Sequence, residues 1–384
     1  MDISEYADID LIVGLPSYNE YDSIAQTAQR VDEGLQKYFP NKSSLIVNVD
    51  NSPNQRTKRA FLNSKTRTKK LYLHSKAARG CKGTNLKKLF EFFLNTKARA
   101  LTIIDADVVS NDPIWIKFFF EPIIKKRYDH IFPLYRRHQF DGSITNFICY
   151  PIVSGALGHA IRQPIGGEMS FSRKAVKNFL RYRWSASAHR YGVDIFMTLV
   201  SIFSEMKMGS VYLGVKRHKP SGPKLNNMFI DVVWTLFWML RGHPHAWKRH
   251  LRLHKYPMLN TVYKQARNGK LEIDASQLVV WAKKGIREEQ DILKKLVDPI
   301  LLKRLSAKKG MYITAEEWIA LVYRFLLAPK KFQTIDLVHA LRPLYFIRFL
   351  TYCQERPSRD YAKSMRIVEN QSDLFFEKRG EFLF

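Results

Sequence analysis

Two acidic residues, Asp105 and Asp107, follow an apolar stretch that predicts a short buried strand at residues 100–104. Carboxylates at positions i and i+2 can face one divalent cation that is held against a diphosphate. Mg²⁺ and Mn²⁺ prefer oxygen ligands of this kind. Aspartate is also common in the turns that follow strands. The pair alone therefore leaves a metal site and an ordinary turn as alternatives.

Three further residues are candidates for chemistry. Lys82 and Gly83 precede a predicted helix at 84–94, where a lysine beside a helix N-terminus suits a phosphate. The residue order of a Walker A motif is absent, and a solvated basic loop is the alternative. His218 is either a metal ligand or a surface histidine. Asp194 lies among apolar residues and is either a helix cap or a buried functional carboxylate.

The N-terminal half contains the elements that would position these side chains. Apolar, partly β-branched runs predict strands, and apolar residues at helical spacing predict the intervening helices. The alternation of the two indicates an α/β fold with a mostly parallel sheet, which binds ligands beyond the carboxyl ends of its strands. Glu20, Asp50 and Asp105 are predicted at such ends. The predicted strands are 10–15, 45–50, 71–73 and 100–104, and the helices are 21–38 and 84–94.

The C-terminal part predicts helices from residue 226 onward. Apolar residues recur at helical spacing in three stretches, and the first of them contains Asp231. That stretch is interpreted as core or as an oligomer contact rather than as a membrane anchor. The three stretches are 228–240, 290–303 and 315–327.

Charge is the unusual property of this 384-residue chain. It has 63 lysines and arginines against 35 acidic residues, a formal net charge of +28. The charge is uneven, because residues 1–50 carry a net −6 and residues 51–100 a net +13. Such a field attracts phosphates, whether of nucleotides, nucleic acid or anionic lipid. Charge alone does not choose among these ligands.

The remaining composition excludes several classes. Three widely spaced cysteines form neither a disulfide framework nor a zinc cluster, so a reducing compartment is expected. The first ten residues are acidic and lack the basic start of a secretory signal. No apolar run reaches the roughly 18 residues of a membrane span. We therefore expect a cytoplasmic location.

A series of short motifs runs along the chain in a fixed order. It reads LPSYNE, a strand ending in Asp50, GCKGTNLKKLF, IIDAD, RQPIGGE, YGVDIFMTLV and LGVKRH. This series resembles the retaining GT-A glycosyltransferases that make mannosylglycerate and glucosyl-3-phosphoglycerate. The resemblance covers residues 8–222. It implies a GT-A nucleotide-sugar-binding and catalytic domain over 1–222. It also implies a helical region over 223–384 that covers the acceptor side of the site or forms an oligomer contact.

The resemblance also implies roles for individual residues. Asp107 and His218 match the metal ligands, which makes Mg²⁺ or Mn²⁺ the implied cofactor. Asp194 and Glu168 match positions near the transferred sugar, and we take them as the catalytic candidates. Arg137 and Thr145 match acceptor-binding positions. The residues predicted to bind the nucleotide sugar are Pro16, Glu20, Asp50, Lys82, Asp105, Gly166 and Gly167.

The implied reaction is a metal-dependent, retaining transfer of a hexose. The donor would be of the GDP-mannose or UDP-glucose type, and the acceptor a small anion such as glycerate or 3-phosphoglycerate. Ser143 stands where the phosphoglycerate branch has an arginine. This departure counts against a phosphorylated acceptor, although Arg136 and Arg137 lie close by.

Two alternatives remain open from the sequence. The first is a GT-A enzyme that acts on a lipid or polysaccharide at a membrane surface, but its usual Q-x-x-R-W signature is absent. Because of the positive charge and the apolar 228–240 stretch, peripheral membrane contact stays possible. Assembly into a homo-oligomer stays possible as well. The second alternative is a nucleic-acid-binding protein that uses the basic block at 51–100. No helix-turn-helix, zinc finger or RNA-binding signature accompanies that block.

Overall fold

The computed structural model describes residues 3–76, 81–219, 224–247, 252–261, 273–307, 311–355 and 361–383. These residues form two units, each made of discontinuous segments. The first unit draws on residues 1–136, 163–220 and 256–268, and the second on 137–162, 221–255 and 269–384. The domain boundary predicted after residue 222 lies outside the described residues. The chain first enters the second unit at residue 137, well before that boundary.

The first unit is built on a seven-stranded sheet in the order β3-β2-β1-β4-β6-β5-β7. All neighbouring strands are parallel except β6, which runs antiparallel to both β4 and β5. This arrangement confirms the predicted α/β class with a mostly parallel sheet. The strands are β1 (Leu11–Ser17), β2 (Ser44–Asp50), β3 (Lys69–His74), β4 (Ala100–Ile103), β5 (His130–Arg136), β6 (Met169–Ser172) and β7 (Met208–Val215).

Helices pack against this sheet and bury its strands. Every residue of β1 and of β4 is buried, which explains their nearly continuous apolar sequences. Trp115 and Phe119 of one helix pack into the same apolar core as Val13 of β1. The helices of this unit are α1 (Ile24–Tyr38), α2 (Arg56–Leu62), α3 (Lys82–Leu94), α4 (Ile114–Lys126), α5 (Arg173–Arg181) and α6 (Val193–Phe203).

The second unit is helical, as predicted for the C-terminal region. Its central helix, α12, has buried residues along its whole length and packs against α7 and α8. None of the helices in the described part of the chain is long and apolar enough to cross a membrane. The helices are α7 (Leu225–Gly242), α8 (Ala275–Glu288), α9 (Gln290–Leu296), α10 (Pro299–Ser306), α11 (Ala315–Leu326), α12 (Thr334–Gln354), α13 (Tyr361–Glu377) and α14 (Arg379–Leu383).

Two predicted helices differ from the structure. The stretch 290–303 contains two helices, α9 and α10, instead of one. The break occurs because Pro299 starts α10 and Asp298 caps it, accepting hydrogen bonds from the backbone N–H groups of Ile300 and Leu301. Helix α3 begins at Lys82 rather than at residue 84, so Lys82 and Gly83 belong to its first turn.

Candidate active site

The candidate site lies at one edge of the sheet, where the ends of three strands and the starts of two helices meet. The parallel strands β4 and β7 end just before Asp105 and Lys216, and the antiparallel β6 begins just after Glu168. Helices α3 and α6 start at the same site with Lys82 and, one residue into α6, Asp194. The strand ends therefore gather side chains from distant parts of the sequence, as expected for a parallel sheet.

Lys82 is the centre of this cluster. Its Nζ lies 2.8 Å from Asp105 Oδ1 and 3.3 Å from the carboxylate of Asp194, and all three side chains are mostly buried. The backbone N–H groups of Gly83 and Thr84 donate to the carbonyl oxygens of Arg190 and His189. The N–H groups of Gly83 and Thr84 are thus paired within the protein. Phosphate binding by Lys82 at this turn stays a prediction.

The pKa values of the cluster diverge because burial and the neighbouring charges balance differently at each group. Burial alone would lower the pKa of Lys82, but the charges of Asp105 and Asp194 outweigh burial and raise it. Burial would raise the pKa of Asp105, but Lys82 and Lys216 outweigh it and lower that pKa. Burial raises the pKa of Asp194 to about 6, with Lys82 opposing the shift. Separated pKa values of neighbouring carboxylates are typical of acid–base sites.

A glycine-containing loop closes the site against Asp105. The side-chain amide of Gln163 bonds in both directions to the backbone of Tyr135, at 3.1 and 2.8 Å, and anchors the loop to β5. Gly167 has a φ of +96°, and a Cβ on it would approach Asp105 Oδ2 to 2.6 Å. Only glycine meets both conditions. The structure therefore places the loop of the predicted Gly166, Gly167 and Glu168 beside Asp105.

Glu168 is fully buried and is held by two partners. Its Oε2 accepts hydrogen bonds from Tyr135 Oη and Lys216 Nζ, both at 2.7 Å. Lys216 Nζ also donates to the carbonyl oxygen of Gly166 at 2.8 Å. Sequence reasoning missed Lys216 and Tyr135. The only sequence signal for Lys216 was its position two residues before His218.

Asp107 and His218 lie on two chain segments that are hydrogen-bonded to each other. Segment 215–219 lies against the loop 105–110, which begins with Asp105-Ala106-Asp107. Val109 N donates to Arg217 O, and Arg217 N donates to Ser110 Oγ. Burial and the charge of Asp105 raise the pKa of Asp107, and the charge of His218 opposes that shift. The structure thus brings the two predicted metal ligands to one side of the site.

The donor set of these two residues fits a hard divalent cation. His218 Nδ1 lies 2.7 Å from the carbonyl oxygen of Lys219, which can only accept, so Nδ1 carries the proton. In a neutral imidazole with this tautomer, Nε2 is the nitrogen that would coordinate a metal. Within the described ranges no group of three or more His, Cys, Asp or Glu side chains could hold a metal. The other ligands of a cation held by Asp107 and His218 would be oxygen atoms of a bound ligand or of water.

The ends of β1 and β2, which carry the predicted nucleotide-binding residues Glu20 and Asp50, are held by contacts within the protein. Glu20 Oε2 is 2.6 Å from Lys219 Nζ, so the loop after β1 is tied to the segment that carries His218. Asp50 is fully buried, and it accepts hydrogen bonds from Ser17, Ser52 and Tyr72. This geometry gives Asp50 a role in fixing the strand ends. Nucleotide contacts of Asp50, Glu20 and the buried Pro16 stay predictions.

The predicted acceptor residues belong to the second unit. Arg137 Nε is 3.4 Å from Asp141 Oδ2, and Thr145 is buried at the start of a π-helical turn, Thr145–Cys149. Such turns are often found at functional sites. Ser143, at the departure from the phosphoglycerate branch, bonds to Tyr345 Oη at 2.6 Å. Acceptor binding by Arg137 and Thr145 stays a prediction.

Residues 48–233 match the family model of the mannosylglycerate synthase GT domain. The predicted glycosyltransferase resemblance is confirmed over these residues. The matched stretch contains Lys82, Asp105, Asp107, Asp194 and His218, but it begins after the loop of Pro16 and Glu20. Together with the sheet order, the match supports the GT-A class that the motifs predicted.

Solved structures of one enzyme are similar to this chain. Glucosyl-3-phosphoglycerate synthase from Mycobacterium tuberculosis, in complex with Mg²⁺ and UDP, is 20% identical with a TM-score of 0.48, over 62% of this chain and 83% of that chain. The same enzyme with Mn²⁺, UDP-glucose and phosphoglyceric acid is 19% identical with a TM-score of 0.48, over 62% and 83%. Likeness at this level says nothing about the ligands of this chain. No curated protein sequence matches it.

Proposed function

We propose that this protein is a metal-dependent, retaining glycosyltransferase. It moves a hexose from a nucleotide sugar of the GDP-mannose or UDP-glucose type to a small anionic acceptor, with glycerate or 3-phosphoglycerate as the leading choices. The observation that carries the proposal is the buried Lys82 between Asp105 and Asp194, at the edge of the sheet that also holds Asp107 and His218. The match of residues 48–233 to a glycosyltransferase domain supports it.

Lys82 supplies a fixed positive charge at this site. A leaving nucleoside diphosphate gains negative charge as the bond to the sugar breaks, and a charge already in place stabilises it without reorganisation. Asp105 orients the ammonium group of Lys82 through the 2.8 Å contact. The neighbouring buried pair, Lys216 with Glu168, holds the Gly166–Gly167 loop in position.

Asp194 is the carboxylate that we propose acts on the sugar or the acceptor. With a pKa raised to about 6 it is mostly ionised at neutral pH and lies beside Lys82. A negative charge there would steady the positive charge that develops on the sugar ring, or orient the acceptor hydroxyl. Asp107 and His218 Nε2 would hold the divalent cation, which when bound neutralises charge on the diphosphate.

The binding part of this proposal is tested by thermal unfolding in the presence of nucleotide sugars. We expect GDP-mannose or UDP-glucose, with Mn²⁺, to raise the melting temperature, because a ligand that binds the folded state stabilises it by RT ln(1 + [L]/Kd). The Asp107→Ala variant should lose the Mn²⁺-dependent part of the shift. Asp112→Ala changes an aspartate in the same loop outside the proposed ligand set and serves as the control. A full Mn²⁺-dependent shift in Asp107→Ala contradicts the ligand assignment.

The reaction itself is tested by product analysis. We expect transfer to glycerate or 3-phosphoglycerate, with the anomeric configuration of the donor kept, as read from the anomeric proton by NMR. An inverted product contradicts the retaining assignment. Transfer only to lipid or polysaccharide acceptors contradicts the small-acceptor assignment and favours the membrane-surface alternative.

A further inference from the structure

A cleft of about 290 Å³ opens in the first unit at the edge of the sheet opposite the candidate active site. It is lined by residues where β4 and β5 begin and where β6 ends. Arg99 precedes β4, Asp129 precedes β5, and Ser172 closes β6. The candidate active site lies at the other ends of the same strands, so the two sites share no residue.

The lining of this cleft is strongly basic. Four cationic side chains line it against one carboxylate, that of Asp129. The carboxylate is fully engaged, because Oδ1 accepts from Ser172 Oγ at 2.8 Å and Oδ2 accepts from Lys174 Nζ at 3.1 Å and Lys207 N at 3.2 Å. Asp129 therefore balances one lysine and leaves the arginines uncompensated. The cationic residues are Arg99, Arg127, Arg173 and Lys174.

Two of these arginines have their guanidinium groups available. Arg173 is occupied, since it donates to carbonyl oxygens between Phe93 and Ala98 at the end of α3. Arg99 and Arg127 have no side-chain hydrogen bond or ion pair with any residue in the described part of the chain. Arg127 also ends α4 in the left-handed region, with a φ of 55°, where glycine or asparagine is usual.

We propose that this cleft binds a small phosphate-bearing anion. Guanidinium groups match phosphate oxygens in geometry and charge, and a site with an excess of them favours a dianion. Ile123, Ile124 and Tyr128 line the same cleft and provide apolar contact for a short carbon chain. Its volume is at the low end for ligand pockets, which favours phosphate or a small phosphate ester over a nucleotide sugar.

Calorimetric titration of the full chain with inorganic phosphate and with glycerol 3-phosphate tests the proposal. The test variant is Arg99→Ala combined with Arg127→Gly, because glycine keeps the left-handed conformation while the charge is removed. The matched control is Lys126→Ala, an exposed lysine next to Arg127 that does not line the cleft. We expect the double variant to lose about tenfold or more in affinity and the control to bind as the unaltered protein does.

A Lys82→Ala variant separates this cleft from the candidate active site, where phosphate could mimic a diphosphate. Binding that persists in Lys82→Ala and is lost in the double variant supports the cleft. Binding lost in Lys82→Ala and kept in the double variant overturns the proposal, as does the absence of binding by the unaltered protein. Tighter binding of glycerol 3-phosphate identifies a phosphate ester as the ligand, and equal binding identifies phosphate itself. Arg99→Ala alone, at an exposed side chain, repeats the test if the double variant unfolds.

Discussion

Asp105 and Asp194 both pair with Lys82, yet their pKa values shift in opposite directions because burial and the other nearby charges act differently on them. Asp105 is also close to Lys216, and its pKa is lowered, whereas Asp194 has a pKa raised to about 6. An aspartate with a raised pKa lowers the stability of the native state as pH rises from 3.8 to about 6, because the unfolded chain ionises first. Such a destabilising group is retained most readily where it serves the chemistry.

The titration of Asp194 can be predicted with its sign. We expect its carboxyl carbon to titrate near pH 6 in ¹³C NMR, with the signal assigned by its loss in Asp194→Asn. Lys82→Ala should raise this pKa further, because the ammonium group stabilises the ionised carboxylate. A lower pKa in Lys82→Ala contradicts the pairing. Lys87→Ala, which changes another lysine of the same helix, should leave the titration unchanged.

The buried pair of Lys216 and Glu168 gives a second prediction at this scale. Lys216→Met removes the charge and shortens the side chain by one atom. Among the described residues it leaves the fully buried Glu168 with Tyr135 as its hydrogen-bond partner. Breaking a buried ion pair costs about 3–5 kcal/mol, so urea unfolding should show a loss of that order.

A double variant controls for this loss. In Lys216→Met combined with Glu168→Gln the buried charge is absent, and we expect much of the stability to return. A loss below about 1 kcal/mol in Lys216→Met, the range of exposed pairs, contradicts the assignment of a buried ion pair.

The start of helix α3 is fixed by a close approach between two elements. A Cβ on Gly83 would lie 1.9 Å from the carbonyl oxygen of Ala188, in the segment that leads into α6. The N–H groups of Gly83 and Thr84 bond to the same segment. This contact places Lys82 of α3 next to Asp194 of α6. The position of the lysine is therefore a property of how two helices meet.

Gly83→Ala tests this contact. The added methyl group must push α3 away from residues 188–190, which we expect to lower stability by about 1–3 kcal/mol, as for overpacked cores. The melting temperature and the thermal shift by the nucleotide sugar with Mn²⁺ should both fall.

Gly242→Ala is the matched control for Gly83→Ala. Gly242 ends α7 with nothing within 4 Å of a built Cβ. Alanine there should leave stability unchanged or raise it by about 0.4–1 kcal/mol. Equal melting temperatures for Gly83→Ala and the unaltered protein contradict the close contact.

The charge of the whole molecule acts on any anionic ligand. A net charge of +28 produces a field that raises the rate at which a nucleotide sugar associates. The field is screened as the Debye length falls from about 30 Å at 0.01 M salt to about 3 Å at 1 M. This effect does not depend on which residue contacts the ligand.

We expect the association rate of the donor, measured by stopped-flow fluorescence with a labelled nucleotide sugar, to fall by about tenfold or more over that salt range. The dissociation rate should change less, because the contacts in a partly buried site are screened less. A neutral osmolyte at matched osmolality should leave the association rate unchanged. An association rate that does not depend on salt contradicts electrostatic steering.

The sequence by itself determined the type and order of the elements around the site. Apolar strands ending in Asp50 and Asp105, and the motifs around Lys82, Asp194 and His218, are local patterns that can be read from neighbouring residues. These patterns were sufficient for the α/β class and for the resemblance that the family match confirms. Asp298 and Pro299 are also a local signal for a new helix start within 290–303. The helical spacing of the apolar residues continues across them, and the prediction therefore treated the stretch as one helix.

The tertiary structure alone decided which side chains meet. Lys82 and Asp194 are 112 residues apart, and nothing local to either predicts a contact of 3.3 Å. Likewise, only the packing shows that Lys216 forms an ion pair with the buried Glu168. Only the packing shows that Asp50, at the end of β2, is hydrogen-bonded to Ser17 at the end of β1. The physical reason is that burial and pairing depend on chain segments brought together by folding, whereas residue type and period depend on the immediate sequence.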